Sequence, residues 1–450
     1  MDIKKKKISV IGAVRSGIGA AKLIKKLGGI PFVSDISSEE KLTDEISLLS
    51  SEKIEFEVDG HTEKVFDCDL IITSPGVPND SYVLSEAFRR GIKVASELEL
   101  ASWFCKGTVI AITGTNGKTT TTSLCAHALN EAGMKCYTAG NIGNAFSEIA
   151  LDVKENEYVS LEVSSFQLDH IEKFKPKISV MLNITPDHLN RYNNSFEKYI
   201  NSKMNIYKNQ NSNDFYIYNA DDKNVGSNLP RNNVEKIPFS ISRTLSNGAF
   251  IDESKIIFAN GENTKEVICG KSELSIKGEH NLQNALAVVS IAKTLGVETN
   301  ELRKALVGFK GVEHRLELVG EINGVKYIND SKATNIDAVW FALRSFNEPI
   351  LLILGGKDKG NDYDRILELV KNRVKKIYAI GSSAQKIYNF FSNVIPVENV
   401  ETLESCIKIA YKDAARGDVV LLSPACASFD MFDNYEHRGK VFKNEVKKLR

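Results

Sequence analysis

An α/β fold of three domains, each organised around a parallel sheet, is what this sequence predicts, on three observations. Short β-branched runs alternate with longer amphipathic stretches along nearly the whole chain, the pattern of strands buried on both faces by crossover helices. Glycine-bearing turns of the kind that approach phosphates follow two of those runs, at Gly12 and at Gly114. Finally, 450 residues exceed what one hydrophobic core usually organises.

The runs Ile8–Ile11, Pro31–Ser34 and Leu70–Thr73 read as strands of a Rossmann-like N-terminal domain over residues 1–97. Val109–Thr113, Tyr158–Glu162 and Ile178–Leu182 supply a central domain over 98–311 that carries a P-loop. Several short alternating segments between Phe239 and Cys269, punctuated by Gly and Asn, read as a small β insertion in that domain. The helices His280–Leu295 and Asn300–Leu306 close it. Leu351–Leu354, Lys376–Ile380 and Val419–Leu422 are strands of a second Rossmann-like domain over 312–450.

Composition excludes several classes. Lys plus Arg and Asp plus Glu both total 58, so no net basic field exists to hold nucleic acid or anionic lipid. Lys4–Lys7 leads straight into a strand too short for a signal-peptide core, and no apolar run approaches the roughly 20 residues that span a bilayer. Seven scattered cysteines, odd in number and without paired spacing, favour neither a disulfide framework nor a structural zinc site. A reducing cytoplasm and a monomer are the expectation.

The strongest chemical signal is Gly114-Thr115-Asn116-Gly117-Lys118-Thr119-Thr120, placed between an apolar strand and the helical run Leu124–Leu129. Its glycines are closer together than in the usual P-loop, yet the physics is retained. Backbone N–H groups approach phosphate oxygens, Lys118 brings charge to the terminal phosphates, and the helix N-terminus adds its dipole. Thr119 offers a hydroxyl ligand for Mg²⁺. By contrast Gly12-Ala-Val-Arg15-Ser16-Gly17 is a weak dinucleotide fingerprint, because its middle glycine is Val14. Asp35, after the next strand, is placed to receive a ribose or simply to form a turn.

Glu162 closes one strand and His188 lies just beyond another, so both fall at carboxyl ends of parallel strands, where ligand sites of this fold class form. An oxygen ligand and an imidazole beside a triphosphate suit a divalent metal. Four further polar clusters, at Glu313–Arg315, Asn329–Asn335, Gly355–Gly360 and Ser423–Asp430, follow apolar strands or open helices, with Ser428 expected to open the helix after Val419–Leu422. Singly each reads as a turn or cap; together they read as a second substrate cleft.

Taken in order, the Gly114 loop, Glu162-Val-Ser-Ser-Phe-Gln-Leu, Asp187-His-Leu, Gly278-Glu-His-Asn281-Leu-Gln-Asn284-Ala, His314-Arg315, Asn329-Asp-Ser-Lys-Ala-Thr334-Asn and Ser423-Pro-Ala-Cys-Ala-Ser428 resemble the Mur ligase family over the whole chain. The last two motifs resemble its D-glutamate-adding branch. The resemblance implies ATP-dependent joining of UDP-N-acetylmuramoyl-L-alanine to D-glutamate through an acyl phosphate, with two Mg²⁺ ions. It places Arg15, Ser16, Asp35, Ile36, Ser37 and Gly76 on the sugar nucleotide, with Asn141 among the catalytic group. The Gly114–Thr120 loop, Asn281, Asn284, Arg315 and Asp330 fall to ATP. Thr119, Glu162, His188 and Lys203 fall to the metals, and Lys332, Thr334, Lys359, Ser428 and Tyr435 to the amino acid. Lys203, fifteen residues after His188 on an expected amphipathic helix Ser195–Gln210, resembles the family's carbamylated lysine. Three positions depart from the pattern: Asn190, where an acid is usual; Tyr435, where Phe is; and Arg15-Ser16, where apolar-Thr is common. A folylpolyglutamate synthase shares the ATPase core but not the Asp35-bearing first domain. Glycine at position 14 would favour a nucleotide-regulated binding protein with a redox-sensing first domain, and that position is Val14.

Overall fold

A computed structural model describes residues 2–261, 264–358 and 360–449. The chain forms two compact units, Met1–Glu273 with Gln283–Val307, and Leu274–Leu282 with Gly308–Arg450.

The first unit holds two sheets. One is five-stranded and wholly parallel, in the order Glu55–Glu57, Ile30–Ser34, Lys7–Ile11, Leu70–Thr73, Val94–Ser96. Its order reverses beside Lys7–Ile11, so the Gly12 turn and the loop after Thr73 open onto a switch point, where α/β sheets bind ligands. Gly17, in the first turn of the helix Arg15–Lys26, packs so tightly that a Cβ there would lie 1.7 Å from the Gly12 carbonyl oxygen.

The second sheet has nine strands, with Thr108–Thr113 between Ile178–Met181 and Tyr158–Glu162 and with Cys136–Gly140 at one edge. Ile110, Ala111 and Ile112 are fully buried, as a β-branched strand covered on both faces must be. The expected β insertion is instead a continuation of this sheet. Beyond Phe215–Asn219 come Glu235–Ser240, Asn247–Asp252, Lys255–Asn260 and Lys265–Gly270, antiparallel only in the last two pairings. Alternation made these segments look self-contained, but Phe239 and Phe250 bury themselves against the sheet's growing edge.

The second unit folds round six strands ordered Glu317–Ile322, Val325–Asn329, Val419–Leu422, Ile350–Gly355, Val374–Ile380, Val397–Asn399, antiparallel only in the first pairing. Ile350 through Leu354 are buried nearly completely. The carboxyl ends of its three middle strands carry Asp330, Ser423 and Gly356 as their next residues.

Candidate functional site

Gly117 caps the helix Lys118–Glu131 with a left-handed φ of 85°, and a Cβ there would sit 2.4 Å from Asn284 Oδ1. Glycine is therefore required twice over, by conformation and by space. The loop's shape is fixed by its neighbour. Asn183 accepts from Thr115 N at 2.9 Å through its carbonyl and from Asn116 N at 2.8 Å through Oδ1, and its Nδ2 donates to the Asn116 carbonyl at 3.0 Å. Thr115 Oγ1 donates to the Thr185 carbonyl at 3.0 Å. Lys118 Nζ folds back onto the carbonyls of Gly114 at 2.9 Å and Thr115 at 2.8 Å, and Thr119 and Thr120 are buried in the first helical turn. A terminal phosphate would offer Lys118 stronger acceptors than those carbonyls.

Glu162, the last residue of its strand, is buried; its Oε1 accepts from Asn141 Nδ2 at 3.1 Å, and its Oε2 has no hydrogen-bond partner among the described residues. An orphaned, buried carboxylate oxygen costs stability unless something fills its lone pairs, and a hard divalent cation fits. Lys203, on the helix Phe196–Met204, is likewise buried and donates to the Gly114 carbonyl at 2.9 Å. That helix ends earlier than the expected Gln210, in a single tighter turn over Asn205–Tyr207. Burial pushes the Lys203 ammonium well below its usual range, the Lys118 charge adds to this, and Asp187 and Glu162 oppose it. His188 adopts a left-handed φ of 51° ahead of the short turn Leu189–Tyr192, with its Nε2 3.7 Å from Asp187 Oδ2. Strain of this kind in a non-glycine residue clusters at functional sites.

In the first sheet Arg15 and Ser16 open a helix, and Gly76 lies in the loop after Leu70–Thr73. Asp35 is buried and accepts from Ala13 N at 2.7 Å and Ser37 N at 2.8 Å, which locks the glycine turn to the next loop. Ile36 projects outward, 75% exposed.

In the second unit Asp330 is buried, with its Oδ2 accepting from Ser423 Oγ at 2.9 Å and its Oδ1 from Leu316 N at 3.2 Å. Burial raises its pKa to about 6 against the pull of the Arg315 charge. Arg315 Nε is itself buried without a hydrogen-bond partner among the described residues. Lys332 Nζ lies 5.1 Å from the centroid of the Tyr435 ring, Thr334 N donates to the Lys332 carbonyl, and Asn281 Nδ2 donates to the Lys277 carbonyl at 2.8 Å. Lys359 lies outside the described residues. Ser428 does not open a helix, as its position after Val419–Leu422 led us to expect. Its carbonyl accepts from Met431 and Phe432 in a turn, and the next helix, Tyr435–Lys447, starts where Asn434 caps His437 N at 2.7 Å. The Met431 N–H, which a Ser428 cap would hold through its hydroxyl, goes to the Ser428 carbonyl instead, and the helix starts only where Asn434 supplies a side-chain cap.

Sequence reasoning passed over two arginines and an asparagine. Asn183 is the splint of the phosphate loop. Arg438, only 1% exposed, donates through Nε to Ser331 Oγ at 2.9 Å and through its Nη atoms to the Ser331 and Cys426 carbonyls, which joins two of the polar clusters. Its spacing with the buried Phe442 and Val446 puts it on the inward face of its helix, a signal open to inspection. Arg191 bridges segments far apart in the chain, and its local sequence carries no sign of that.

A glycine loop with a lysine at the helix start, set among a buried carboxylate, a buried lysine and a strained histidine at strand ends, defines a phosphate-binding ATPase domain. Residues 112–292 match the Mur ligase middle domain, 314–426 the Mur ligase glutamate ligase domain, and 8–83 the MurD N-terminal domain. The chain belongs to the Mur ligase family. Among its relatives, the UDP-N-acetylmuramoylalanine--D-glutamate ligase of Salinibacter ruber is 43% identical over 100% of this chain and 99% of that protein. The enzyme of the same description from Christiangramia forsetii is 46% identical over 99% of this chain and 100% of its own length. In fold the chain is similar to the crystal structure of UDP-N-acetylmuramate-alanine ligase from Thermotoga maritima, with a TM-score of 0.64 at 20% identity over 99% of this chain and 100% of that one.

Proposed function

We infer that the chain joins the L-alanyl carboxylate of UDP-N-acetylmuramoyl-L-alanine to the amine of D-glutamate, with hydrolysis of ATP to ADP and phosphate, in peptidoglycan precursor synthesis. The observation that carries the reading is the Gly114–Lys118 loop beside Glu162 and Lys203 in a chain with full-length relatives of that activity.

A carboxylate and an ammonium do not condense in water, so the carboxylate must be activated. A carboxylate oxygen attacks the γ-phosphorus, the bond to the β-phosphate oxygen breaks, and ADP leaves. The D-glutamate amine, having lost its proton, then adds to the acyl carbon, and phosphate departs from the tetrahedral intermediate. Lys118 swings from the Gly114 and Thr115 carbonyls to the transferring phosphate, and the loop N–H groups and helix dipole hold the charge in place. Most of the rate comes from such positioning and charge neutralisation. Two Mg²⁺ ions, held by Thr119, Glu162, His188 and Lys203, would polarise the phosphoryl oxygens and screen their charge from the incoming carboxylate. The vacant lone pairs of Glu162 Oε2 support that ligand set. Lys203 joins it as a carbamate. A buried amine in its neutral form adds to CO₂ and releases a proton, which turns a cation that would repel Mg²⁺ into a hard oxygen ligand.

Arg15, Ser16, Asp35, Ile36, Ser37 and Gly76 receive the sugar nucleotide, with Asp35 acting mainly through the loop that it shapes. Asn141 orients Glu162. Asn281, Asn284, Arg315 and Asp330 serve ATP, while Lys332, Thr334, Lys359, Ser428 and Tyr435 serve D-glutamate. The three functional segments are 1–97, 98–311 and 312–450. Among the described residues no helix is long and apolar enough to cross a membrane, and all seven cysteines are free thiols, which supports work in the cytoplasm. The chain acts as a monomer.

Oxygen-18 in the L-alanyl carboxylate tests the chemistry. An acyl phosphate transfers a labelled oxygen to inorganic phosphate as the amide forms. Full retention of label in the peptide product would exclude it.

A further inference from the structure

Arg191 has no part in the roles above, yet it ties together two regions that the reaction needs in register. Its Nη1 donates to the Pro75 carbonyl and its Nη2 to the Val77 carbonyl, each at 2.7 Å, so the guanidinium grips the backbone on both sides of Gly76. Its plane lies over the Phe166 ring, 4.6 Å from the centroid. Phe166 in turn meets His188 edge to face, with ring centroids 6.2 Å apart and planes at 87°. Three segments distant in sequence are thus linked by successive contacts: the loop around Gly76, the turn Ser165–Gln167, and His188 with its strained backbone.

A second tie lies alongside. Asn79 Nδ2 donates to Asp169 Oδ2 at 2.7 Å, Asn79 Oδ1 lies 2.9 Å from His170 Nε2, and Ser96 N donates to the His170 carbonyl at 2.9 Å. Tyr192, next to Arg191, reaches Asp169 Oδ2 at 3.4 Å and Ser202 Oγ at 3.2 Å, one residue from Lys203. The guanidinium suits the first tie for a geometric reason. Two carbonyls two residues apart point the same way along a loop, and a planar fork of N–H donors meets both at once, which an ammonium on a flexible stem does not.

We propose that Arg191 is a positioning residue, which holds the Gly76 loop at a fixed offset from His188 so that a sugar nucleotide bound at that loop presents its carboxylate to the phosphoryl group. The inference rests on the functional reading above, in particular on the sugar nucleotide lying at Gly76. It predicts a split among the kinetic constants. Releasing the loop weakens the hold on the sugar nucleotide and leaves the phosphate loop, braced independently by Asn183, unchanged.

Arg191→Ala and Arg191→Lys in the full chain, measured with all three substrates and by thermal unfolding, test it. Arg191→Ala should raise the KM for the sugar nucleotide about 10–100-fold, the effect of losing charge-assisted hydrogen bonds, with the KM for ATP within about twofold of wild type. Arg191→Lys should recover part of the loss. Should Arg191→Ala not fold, Asn79→Ala, which cuts the second tie, should raise the same constant by a smaller factor. Equal rises in all three KM values together with a lowered Tm would make Arg191 a merely structural residue and overturn the proposal, as would an unchanged sugar-nucleotide KM in a folded variant. If the wild-type chain neither binds nor consumes the sugar nucleotide, the functional reading itself falls, and the proposal with it.

Discussion

The phosphate loop of the first unit and the strand-end cleft of the second lie at the same place in their sheets, beyond the carboxyl ends of parallel strands, but they are made of opposite materials. The loop is a backbone device: a glycine with φ of 85°, N–H groups aimed outward by a helix start, and one lysine. The cleft is a side-chain device, in which Arg438 gathers the Ser331 and Cys426 carbonyls while Asp330 is pinned by Ser423 and Leu316. A backbone device works through charge and dipole, so its loss removes chemistry and spares the fold. A side-chain device of buried polar groups is also part of the core, so its loss removes both.

The largest expected effect on chemistry is at Lys118. Lys118→Ala should cut turnover by roughly 10²–10³-fold or more, with the Tm close to wild type, because its Nζ donates to carbonyls of its own loop in the resting structure. Lys203→Ala should come next, with turnover falling roughly 10²-fold and the KM for D-glutamate little changed. An intact-mass increase equal to one CO₂ on the wild type, absent in the variant, would sharpen that result.

Arg438→Met should break the comparison the other way. It removes the guanidinium donors from the buried Ser331 and Cys426 carbonyls and leaves the Ser331 hydroxyl only its bond to the Tyr435 carbonyl, at a cost of roughly 2–4 kcal/mol in the stability of the second unit, which chemical unfolding would read. An unaltered unfolding midpoint would show the cleft to be as detachable from the core as the loop.

The smallest effect concerns Asp330. Its folded pKa of about 6 lies above the usual carboxyl value, so the folded state holds a proton that the unfolded chain gives up sooner. Stability from this group is therefore complete below about pH 4, falls as pH rises toward about 6, and is level above that, for a total change of about 1–3 kcal/mol. Asp330→Asn should abolish this slope, even as ATP use suffers. A slope of equal size in the variant would assign it to other groups.

The same contrast explains what the sequence disclosed. The strand Thr108–Thr113 and its loop were legible because a buried parallel strand demands a β-branched run, and phosphate demands Gly and Lys at fixed offsets, all within a dozen residues. Arg191 was not, since it acts on backbone carbonyls more than ten residues away in sequence, and a carbonyl leaves no mark on residue choice; the spacing of Arg438 with Phe442 and Val446 shows its inward face but not the carbonyls that it meets. The expected helix at Ser428 failed for a local reason: its carbonyl closes a turn on Met431 and Phe432, and the helix begins only at Tyr435, behind the Asn434 cap. The β segments from Glu235 to Gly270 were seen as strands but misplaced, since alternation specifies a pleated, half-buried surface and not which sheet it joins.

The central claim is that the phosphate loop spends ATP only to join a sugar-nucleotide carboxylate to D-glutamate. Phosphate release by the wild-type chain should be measured with UDP-N-acetylmuramoyl-L-alanine alone, with D-glutamate alone, with both, and with L-glutamate replacing D-glutamate. Sustained release is expected only with the first two together, one phosphate for each amide formed. Release of comparable rate without the sugar nucleotide, or with L-glutamate serving equally well, would contradict it.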